Sequence, residues 1–211
     1  MADLILHHYP NSPFSEKVRI AFGIKQLAWK SVQIPVIMPK PDLMPLTGGY
    51  RKTPVLQVGA DIYCDTQLIM LELEKRAPRP PLLPTDRAGE ARALAMWVDR
   101  NIFWSAVGVV MGAIGDKLPE SFHKDRSAFS GRSFDVARLK EAAPVAAEQT
   151  YAQLVLAESW PTADPICWAP TQPWPTVRST IRCGSSRSGW ARARRCRRST
   201  GCRGSSPGRN A

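Results

Sequence analysis

The last 51 residues restrict the fold of this chain more than any other feature, because they contain no Leu, Met, Phe or Tyr. A segment without these side chains buries little apolar area, and an excess of Arg, Ser, Gly and Pro is typical of disordered chains. The core therefore has to come from residues 1–160. We predict a folded body followed by a disordered basic tail over residues 161–211.

The charge of the chain is concentrated in the same tail. The whole chain carries a formal net charge of +11. The tail contains ten Arg, no Lys and a single acid, Asp164, whereas residues 1–160 contain 19 basic and 17 acidic residues. The nearly neutral body argues against a nucleic-acid partner, which a strongly basic chain first suggests.

Three interpretations of the tail compete. It is a disordered extension, an Arg-rich arm that binds nucleic-acid phosphates, or an out-of-frame translation. The second lacks the regular aromatic residues of a base-stacking surface, although Trp168, Trp174 and Trp190 are present. We favour the third, because a GC-rich gene read in the wrong frame is biased toward Arg, Pro, Ser, Cys, Trp and Gly.

Cysteine spacing and hydropathy argue against several other classes. The body contains one cysteine, Cys64, which we expect to be a small buried residue of a strand. The other four cysteines lie in the tail, so no disulfide framework is implied, and no Cys-x-x-Cys pair occurs. We expect His7 and His8 to pack rather than to bind a metal. No apolar run approaches the roughly 20 residues of a membrane helix, and no signal pattern follows Met1, so we expect a cytoplasmic protein.

The hydrophobic pattern of the body predicts an α/β region followed by helices, a fold class of α/β plus all-α. The order is β-α-β-loop-β-β-α, with strands over 3–9, 29–34, 53–59 and 62–64, helices over 14–25 and 67–76, and an ordered loop over 35–49. A proline-rich connector leads to two long helical patterns, over 87–113 and 136–157. We place an α/β domain at residues 1–78, a linker at 79–86 and a partial helical domain at 87–160.

Ser12 stands where the first strand passes into a helix. It suits the N-cap position, Pro13 suits the first helical position, and Glu16 suits the first turn. A hydroxyl beside backbone N–H groups at a helix N-terminus can also hold an external thiolate, because such a position lowers a thiol pKa from ~8.5 to ~7 or below. The residues alone leave both roles open, a cap worth about 1 kcal/mol or a thiol-activating group.

Three segments, taken in order, carry a family resemblance: YPNSPFSEKVR at 9–19, GGYRKTPVL at 48–56 and YCDTQLIMLEL at 63–73. With the α/β-then-helical order, they make residues 4–157 resemble the glutathione S-transferase family. The resemblance implies a thioredoxin-like glutathione-binding domain, an incomplete helical domain, and glutathione as co-substrate without a metal. It also implies an electrophilic small molecule as second substrate, and a homodimer, as in many relatives.

The resemblance assigns the activation of glutathione to the loop after the first strand. Ser12 takes the place of the first cysteine in a Cys-Pro-Phe type of motif, and similar enzymes use Ser, Cys or Tyr in this loop. Ser12 is therefore the candidate catalytic residue, and Ser15 and Tyr9 are the reserve candidates.

The other site residues that the resemblance implies would bind glutathione. Pro54 resembles the family's cis-proline, which leaves Thr53 to pair through its backbone with the cysteinyl part of the tripeptide. Asp65 would hold the γ-glutamyl ammonium and Thr66 the carboxylate, although this pair also suits a helix cap. Lys52 would reach the glycyl carboxylate or is a solvated surface lysine.

The out-of-frame interpretation can be checked by back-translation. Relatives continue with a segment resembling DGRPYLLGPDPxLAD and then an aromatic-rich helix, which the written tail lacks. Read one base earlier, Pro161–Trp168 becomes compatible with DGRPYLL, and Ala169–Ser185 with GPDPALADCSVYHPLWF. We predict a frameshift near Ser159–Trp160, which the DNA sequence across Trp160 decides.

A frameshift at this point would remove part of the core of the helices over 87–157. Two functions follow. The chain is a glutathione S-transferase-like enzyme that activates the thiol of glutathione for transfer to an electrophile. Alternatively, it is a non-catalytic binding module with the same fold, inactive because the helical domain is disrupted.

Overall fold

The computed structural model describes residues 2–83 and 86–159. The predictions for the tail, residues 161–211, therefore lie outside the described residues.

A four-stranded mixed sheet forms the centre of the N-terminal region. Its strands are Leu4–His8 (β1), Lys30–Gln33 (β2), Val55–Val58 (β3) and Asp61–Cys64 (β4). They lie in the order β2-β1-β3-β4, with β1 parallel to β2 and β3 antiparallel to both β1 and β4. This strand order, with the helices that pack on it, confirms the predicted thioredoxin-like region.

Three helices accompany the sheet: Pro13–Ile24 (α1), Met44–Thr47 (α2) and Thr66–Arg76 (α3). One face of the sheet packs against α1 and α3, because apolar residues of β1 and β3 alternate and those of the helices recur at helical spacing. The largest side chains of this core are fully buried: Leu6, Val18, Phe22, Leu56, Ile69 and Leu73. Burying each of them contributes about 1.5–3 kcal/mol.

The loop prediction for residues 35–49 is wrong in part, since α2 forms within it. Pro45 lies in the first turn of this helix, where its missing N–H costs no hydrogen bond. Gly48, with φ 60°, ends the helix in the left-handed conformation. Leu43, just before α2, is buried with Val55 in a second core on the other face of the sheet.

Four further helices follow: Ala88–Trp97 (α4), Phe103–Ile114 (α5), Glu120–Ser130 (α6) and Val136–Glu158 (α7). We call residues 88–158 the helical segment. A π-helical turn, Val98–Ile102, joins α4 to α5, and a 3₁₀ turn, Gly115–Lys117, follows α5. The sequence analysis predicted α4–α5 and α7 but not α6. No helix over 2–83 and 86–159 has the length and hydropathy to cross a membrane.

Small residues bring α5 and α7 together. A Cβ placed on Gly112 would lie 2.5 Å from the Ala143 Cβ, and one on Gly108 would lie 3.0 Å from the Ala146 Cβ. The two helices are therefore in close backbone contact. Several of their large apolar side chains, among them Trp104 and Leu156, are exposed.

The helical segment also contacts the α/β region. Asp99 of the π-helical turn pairs with Lys17 of α1 at 2.7 Å, and Asp125 of α6 pairs with Arg51 at 2.6 Å. The rings of Phe14 and Phe103 lie 4.7 Å apart. These contacts place residues of the helical segment beside the edge of the sheet at which the candidate site lies.

Candidate functional site

Three segments that carry candidate residues meet at one edge of the sheet. β1 ends shortly before Ser12, and the antiparallel β3 begins opposite the end of β1, just after Thr53. β4 ends opposite this start of β3, just before Asp65. The register therefore places the N-terminus of α1, the segment before β3 and the N-terminus of α3 side by side.

Ser12 is the N-cap of α1. Its Oγ accepts a hydrogen bond from the Ser15 N–H at 3.2 Å, and its carbonyl oxygen accepts one from the Glu16 N–H at 2.9 Å. The side chain is nearly buried, with the residue 3% exposed. The cap expected from the sequence is thus present, and the hydroxyl hydrogen of Ser12 is still available to donate, because the cap uses its oxygen only as an acceptor.

The two reserve candidates have different surroundings. Ser15 is completely buried, and its Oγ has no hydrogen-bond partner among the described residues. Tyr9 is half-buried, with the ammonium of Lys40 5.8 Å from the centre of its ring. Of the two, Tyr9 is therefore the one whose side chain is accessible to a ligand.

Thr53 precedes a cis peptide bond to Pro54. Its Oγ1 accepts a hydrogen bond from Lys40 Nζ at 3.0 Å, and Lys40 also donates to the carbonyl oxygen of Arg51 at 3.0 Å. Lys40 itself is 3% exposed. A buried ammonium thus supports the segment that enters β3.

The surroundings of Lys40 favour its neutral form. Burial lowers the pKa of Lys40 to about 8, and the positive charges of Arg51 and Arg126 act in the same direction, whereas Asp125 raises it. The sequence analysis proposed Lys52 as the cation of the site, but the Lys52 side chain is exposed. Lys40 lies in a Pro-Lys-Pro run of the loop, and no sequence motif distinguishes it from an ordinary surface lysine.

Asp65 and Thr66 begin α3. Asp65 is the N-cap, with φ 78°, and its Oδ1 accepts a hydrogen bond from the Gln67 N–H at 2.8 Å. Asp65 is exposed, whereas Thr66 is 6% exposed and its Oγ1 accepts from Lys17 Nζ at 3.4 Å. The capping role that the sequence left open is therefore present, and the carboxylate of Asp65 also faces solvent.

A polar network that the sequence analysis missed lies beside the start of α3. Asp99 Oδ2 accepts hydrogen bonds from Lys17 Nζ at 2.7 Å and from Gln67 Nε2 at 3.2 Å. Asp99 belongs to the π-helical turn, and such turns frequently occur at functional sites. The network connects the helical segment to the N-termini of α1 and α3.

The histidines of β1 are structural. His7 is buried and its Nε2 lies 2.9 Å from Gln57 Oε1. His8 is also buried, bonded to Ser31 Oγ at 2.8 Å and to Arg19 Nη1 at 2.9 Å. Burial, followed by the charge of Arg19, lowers the pKa of His8. Within residues 2–83 and 86–159, no group of His, Cys, Asp and Glu residues is arranged to hold a metal ion.

Cys64 ends β4 and is half-buried with a free thiol. Burial and the neighbouring Asp65 carboxylate raise the pKa of this thiol, so it stays protonated at neutral pH.

The segment that contains every candidate site residue identifies the family. Residues 6–81 match the family model described as "Glutathione S-transferase, N-terminal domain". Residues 6–81 therefore belong to the glutathione S-transferase N-terminal domain family. This membership agrees with the thioredoxin-like sheet and the helices that follow it.

Two curated relatives of this chain match it over less than half of their own length, 44% and 42%. The first is FtsZ-localized protein A of Caulobacter vibrioides, which is 33% identical over 102 residues, or 46% of this chain. The matched part is therefore too short to transfer a whole protein's activity.

Solved structures of the family share the fold. The structure of FzlA from C. crescentus is 26% identical, with a TM-score of 0.53, over 74% of this chain and 68% of that chain. The theta class glutathione S-transferase of Xanthomonas axonopodis pv. citri, solved with glutathione bound, is 19% identical, with a TM-score of 0.56, over 75% of this chain and 70% of that chain. At this identity the second likeness concerns the fold alone.

Proposed function

We propose that this chain binds glutathione at the edge of the sheet and activates its thiol at Ser12 for transfer to an electrophile. One observation carries the proposal: the N-termini of α1 and α3 and the Thr53–Pro54 segment lie side by side, as the strand register requires. Two helix N-termini favour anions, and a glutathione thiolate and its γ-glutamyl carboxylate are anions.

The thiolate would lie at the start of α1. Among the first helical residues, Pro13 has no N–H, and the N–H groups of Ser15 and Glu16 already bond to Ser12. The Phe14 N–H is therefore the first-turn donor that the cap does not use. Together with the Ser12 O–H, it supplies two donors to a sulfur whose negative charge the helix end also stabilises.

The remainder of the tripeptide would extend along the other two segments. The backbone of Thr53 would pair with the cysteinyl residue, and Thr66 and the N-terminus of α3 would receive the γ-glutamyl carboxylate. Asp65, with an exposed carboxylate, would pair with the ligand's ammonium. At the glycyl end, the buried Lys40 joins the exposed Lys52 as a cation for the carboxylate.

We also propose the cellular setting and partners that the family membership suggests. The cytoplasm, where glutathione keeps thiols reduced, fits the free thiol of Cys64. The second substrate would be an electrophilic small molecule, without a metal, and the protein a homodimer.

A second function is favoured by the relative named FtsZ-localized protein A. Its name refers to a location rather than to a reaction. A binding module with the same fold, holding glutathione without turnover, is therefore our alternative. The helical segment would line the electrophile pocket. Its exposed apolar side chains also favour this alternative, because an incompletely covered segment would form an incomplete pocket.

The two functions are separated by binding and turnover measured on the full 211-residue chain. We expect glutathione to bind in calorimetry, and 1-chloro-2,4-dinitrobenzene to be converted. Binding without turnover would support the alternative, and a chain that binds no glutathione would refute both functions.

A matched pair of variants separates activation by Ser12 from its capping role. Ser12→Ala removes the cap as well as the hydroxyl, whereas Ser12→Gly removes the hydroxyl at a capping cost of only a few tenths of a kcal/mol. We expect both to reduce kcat/KM about a hundredfold, the effect of removing one donor to a reacting anion. A loss in the alanine variant alone would mean that Ser12 only caps the helix. Full activity in both would transfer the role to Tyr9 or Ser15.

A further inference from the structure

Asp125 lies on α6, far along the chain from the residues that it contacts. Its side chain is 6% exposed. Its Oδ1 accepts hydrogen bonds from the Met38 N–H at 3.0 Å and from Arg51 Nη2 at 2.6 Å. A buried carboxylate of the helical segment therefore holds two separate points of the loop that precedes β3.

Two side chains of α6 contact Arg51. Its guanidinium pairs with Asp125 and lies 4.8 Å from the centre of the Phe129 ring, one helical turn further along. Charge-assisted hydrogen bonds and cation–π contacts of this kind stabilise a partly buried arginine more than a neutral hydrogen bond does. The backbone of Arg51 is thereby held in place as well.

The backbone of Arg51 continues the connection into the candidate site. Its carbonyl oxygen accepts a hydrogen bond from Lys40 Nζ at 3.0 Å, and Lys40 donates a second one to Thr53 Oγ1 at 3.0 Å. These two bonds use two of the three donors of an ammonium group. Asp125, Arg51, Lys40 and Thr53 thus form one continuous chain of polar contacts from α6 to the cis-proline segment.

Asp125 also contributes a negative charge near Lys40. Arg51 and Arg126 are cations near Lys40, and Asp125 is the one carboxylate among the charges that shift the pKa of Lys40. Asp125 Oδ2 has no hydrogen-bond partner among the described residues, and it lies 3.9 Å from Arg126 Nε in an ion pair. The Tyr9 ring lies over Lys40, and His7 and Asp42 line the same cavity as Lys40.

We infer that Asp125 is a positioning residue of the glutathione site: through Arg51 it places Lys40 beside Thr53. The inference rests on the proposed function. It gives α6, which belongs to the helical segment, a role in binding glutathione. The pKa of about 8 then predicts that affinity falls as the pH rises through this value, because Lys40 loses its charge.

The test compares Asp125→Asn with Asp125→Glu in the full chain. The probe is S-methylglutathione, which has no thiol to titrate, and its Kd is measured by calorimetry between pH 6.5 and 9. Asparagine keeps an oxygen for the Met38 N–H but removes the charge. We expect Asp125→Asn to bind about tenfold more weakly at pH 7.5, the loss of one charge-assisted hydrogen bond, with the pH midpoint moved downward. Asp125→Glu should restore most of the affinity and the midpoint.

Three controls keep the outcomes distinct. Asp116→Asn removes the same charge from an exposed pair with Lys140 and should leave the Kd unchanged. Lys40→Met should remove the pH step. Arg51→Gln cuts the same chain of contacts at its next member, so the double variant with Asp125→Asn should lose no more affinity than either single variant.

The possible results separate the inference from the function on which it rests. A wild-type chain that does not bind S-methylglutathione would overturn both. If the wild-type chain binds and Asp125→Asn shows the same Kd and the same pH midpoint, the inference alone is overturned. Additive losses of affinity in the double variant would also overturn it. If Asp125→Asn fails to fold, Arg51→Gln alone decides by the same two readouts.

Discussion

The α/β region and the helical segment differ in how their apolar residues are used. All but one of the buried apolar residues in the described chain lie before residue 74, and the exception is Ala146 of α7. The helical segment instead exposes large side chains, among them Trp104 at 61%, Val145 at 60% and Leu156 at 51%. Both regions contain helices of 10 to 12 residues, but among the described residues only the first has a buried apolar core.

The difference shows what a helical pattern needs in order to become a stable structure. α5 and α7 pack on each other through glycine and alanine, and several of their larger apolar residues, such as Val145 and Leu156, are exposed. The residues that follow α7 in the sequence contain no Leu, Met, Phe or Tyr. The frameshift near Ser159–Trp160 stays a prediction, which the DNA sequence across Trp160 decides.

Matched leucine truncations test the comparison most strongly. Leu73 of α3 is fully buried, whereas Leu156 of α7 is 51% exposed. We expect Leu73→Ala to cost about 2–5 kcal/mol of unfolding free energy, by loss of transfer energy and creation of a cavity, and Leu156→Ala less than about 0.5 kcal/mol. Urea unfolding followed by circular dichroism measures both. A similar loss in the two variants would mean that Leu156 is covered in solution.

Restoring the other reading frame tests whether the predicted missing segment stabilises the helical segment. The variant replaces Pro161–Ser185 by the residues encoded one base earlier and ends there. We expect the helical segment to gain about 2–3 kcal/mol, because half-exposed residues such as Val145 and Leu156 would each recover part of the 1.5–3 kcal/mol of full burial. Amide hydrogen exchange in α5 and α7 reports the gain.

The control for this variant is a tail of equal length made of Gly and Ser. If both tails protect the amides of α5 and α7 equally, the residues of the other reading frame do not stabilise these helices, and the expectation is wrong.

Two glycines test the contact between α5 and α7. A Cβ on Gly112 would meet Ala143 at 2.5 Å, whereas a Cβ on Gly89 of α4 would meet no atom within 4 Å. We expect Gly112→Ala to destabilise the helical segment by about 1–3 kcal/mol through overpacking, and Gly89→Ala to be neutral or to stabilise by up to about 1 kcal/mol. Thermal unfolding of both variants checks the pair. Equal stability of the two would show that α5 and α7 are not closely packed in solution.

The smallest expected effect concerns pH and the α/β core. Burial and Arg19 lower the pKa of His8 below its usual 6.5, so the unfolded chain binds the proton more readily than the folded chain. Stability contributed by neutral His8 is therefore complete above pH 6.5 and declines as the pH falls below it. Urea unfolding of wild type and His8→Gln between pH 5 and 7.5 measures this, and the variant should show a shallower decline. An identical pH dependence in both would assign the decline to other groups.

The sequence predicted the α/β elements well because their signals are local. Ser12 with Pro13 marks the start of α1, and Gly59, with φ 64°, marks the turn between β3 and β4. The helix α2 was missed because Pro45 was read as a loop residue although a proline suits a first turn. The helix α6 has a mostly polar sequence, and its apolar residues Phe122 and Phe129 contact arginines rather than a continuous core.

The candidate site was predicted in part. The residues with a motif, Ser12, Thr53 and Thr66, lie at one edge of the sheet because strand register brings them there. Lys40, Asp99 and Asp125 were not predicted. Each stands in a segment of ordinary polar composition, and its contacts are made with residues of another segment.

The amino-acid sequence by itself determined the strands and the two longer helices of the α/β region, the family resemblance, and the lack of Leu, Met, Phe and Tyr after residue 160. These depend on local periodicity, capping residues and composition, which are readable from neighbouring positions. Only the tertiary structure decided which charged residues surround the site and which helices lack a core. Lys40 becomes a buried cation with a pKa of about 8 only in the folded chain, where Arg51, Arg126 and Asp125 surround it. Burial and neighbouring charges shift a pKa, and both depend on residues that are distant in the sequence.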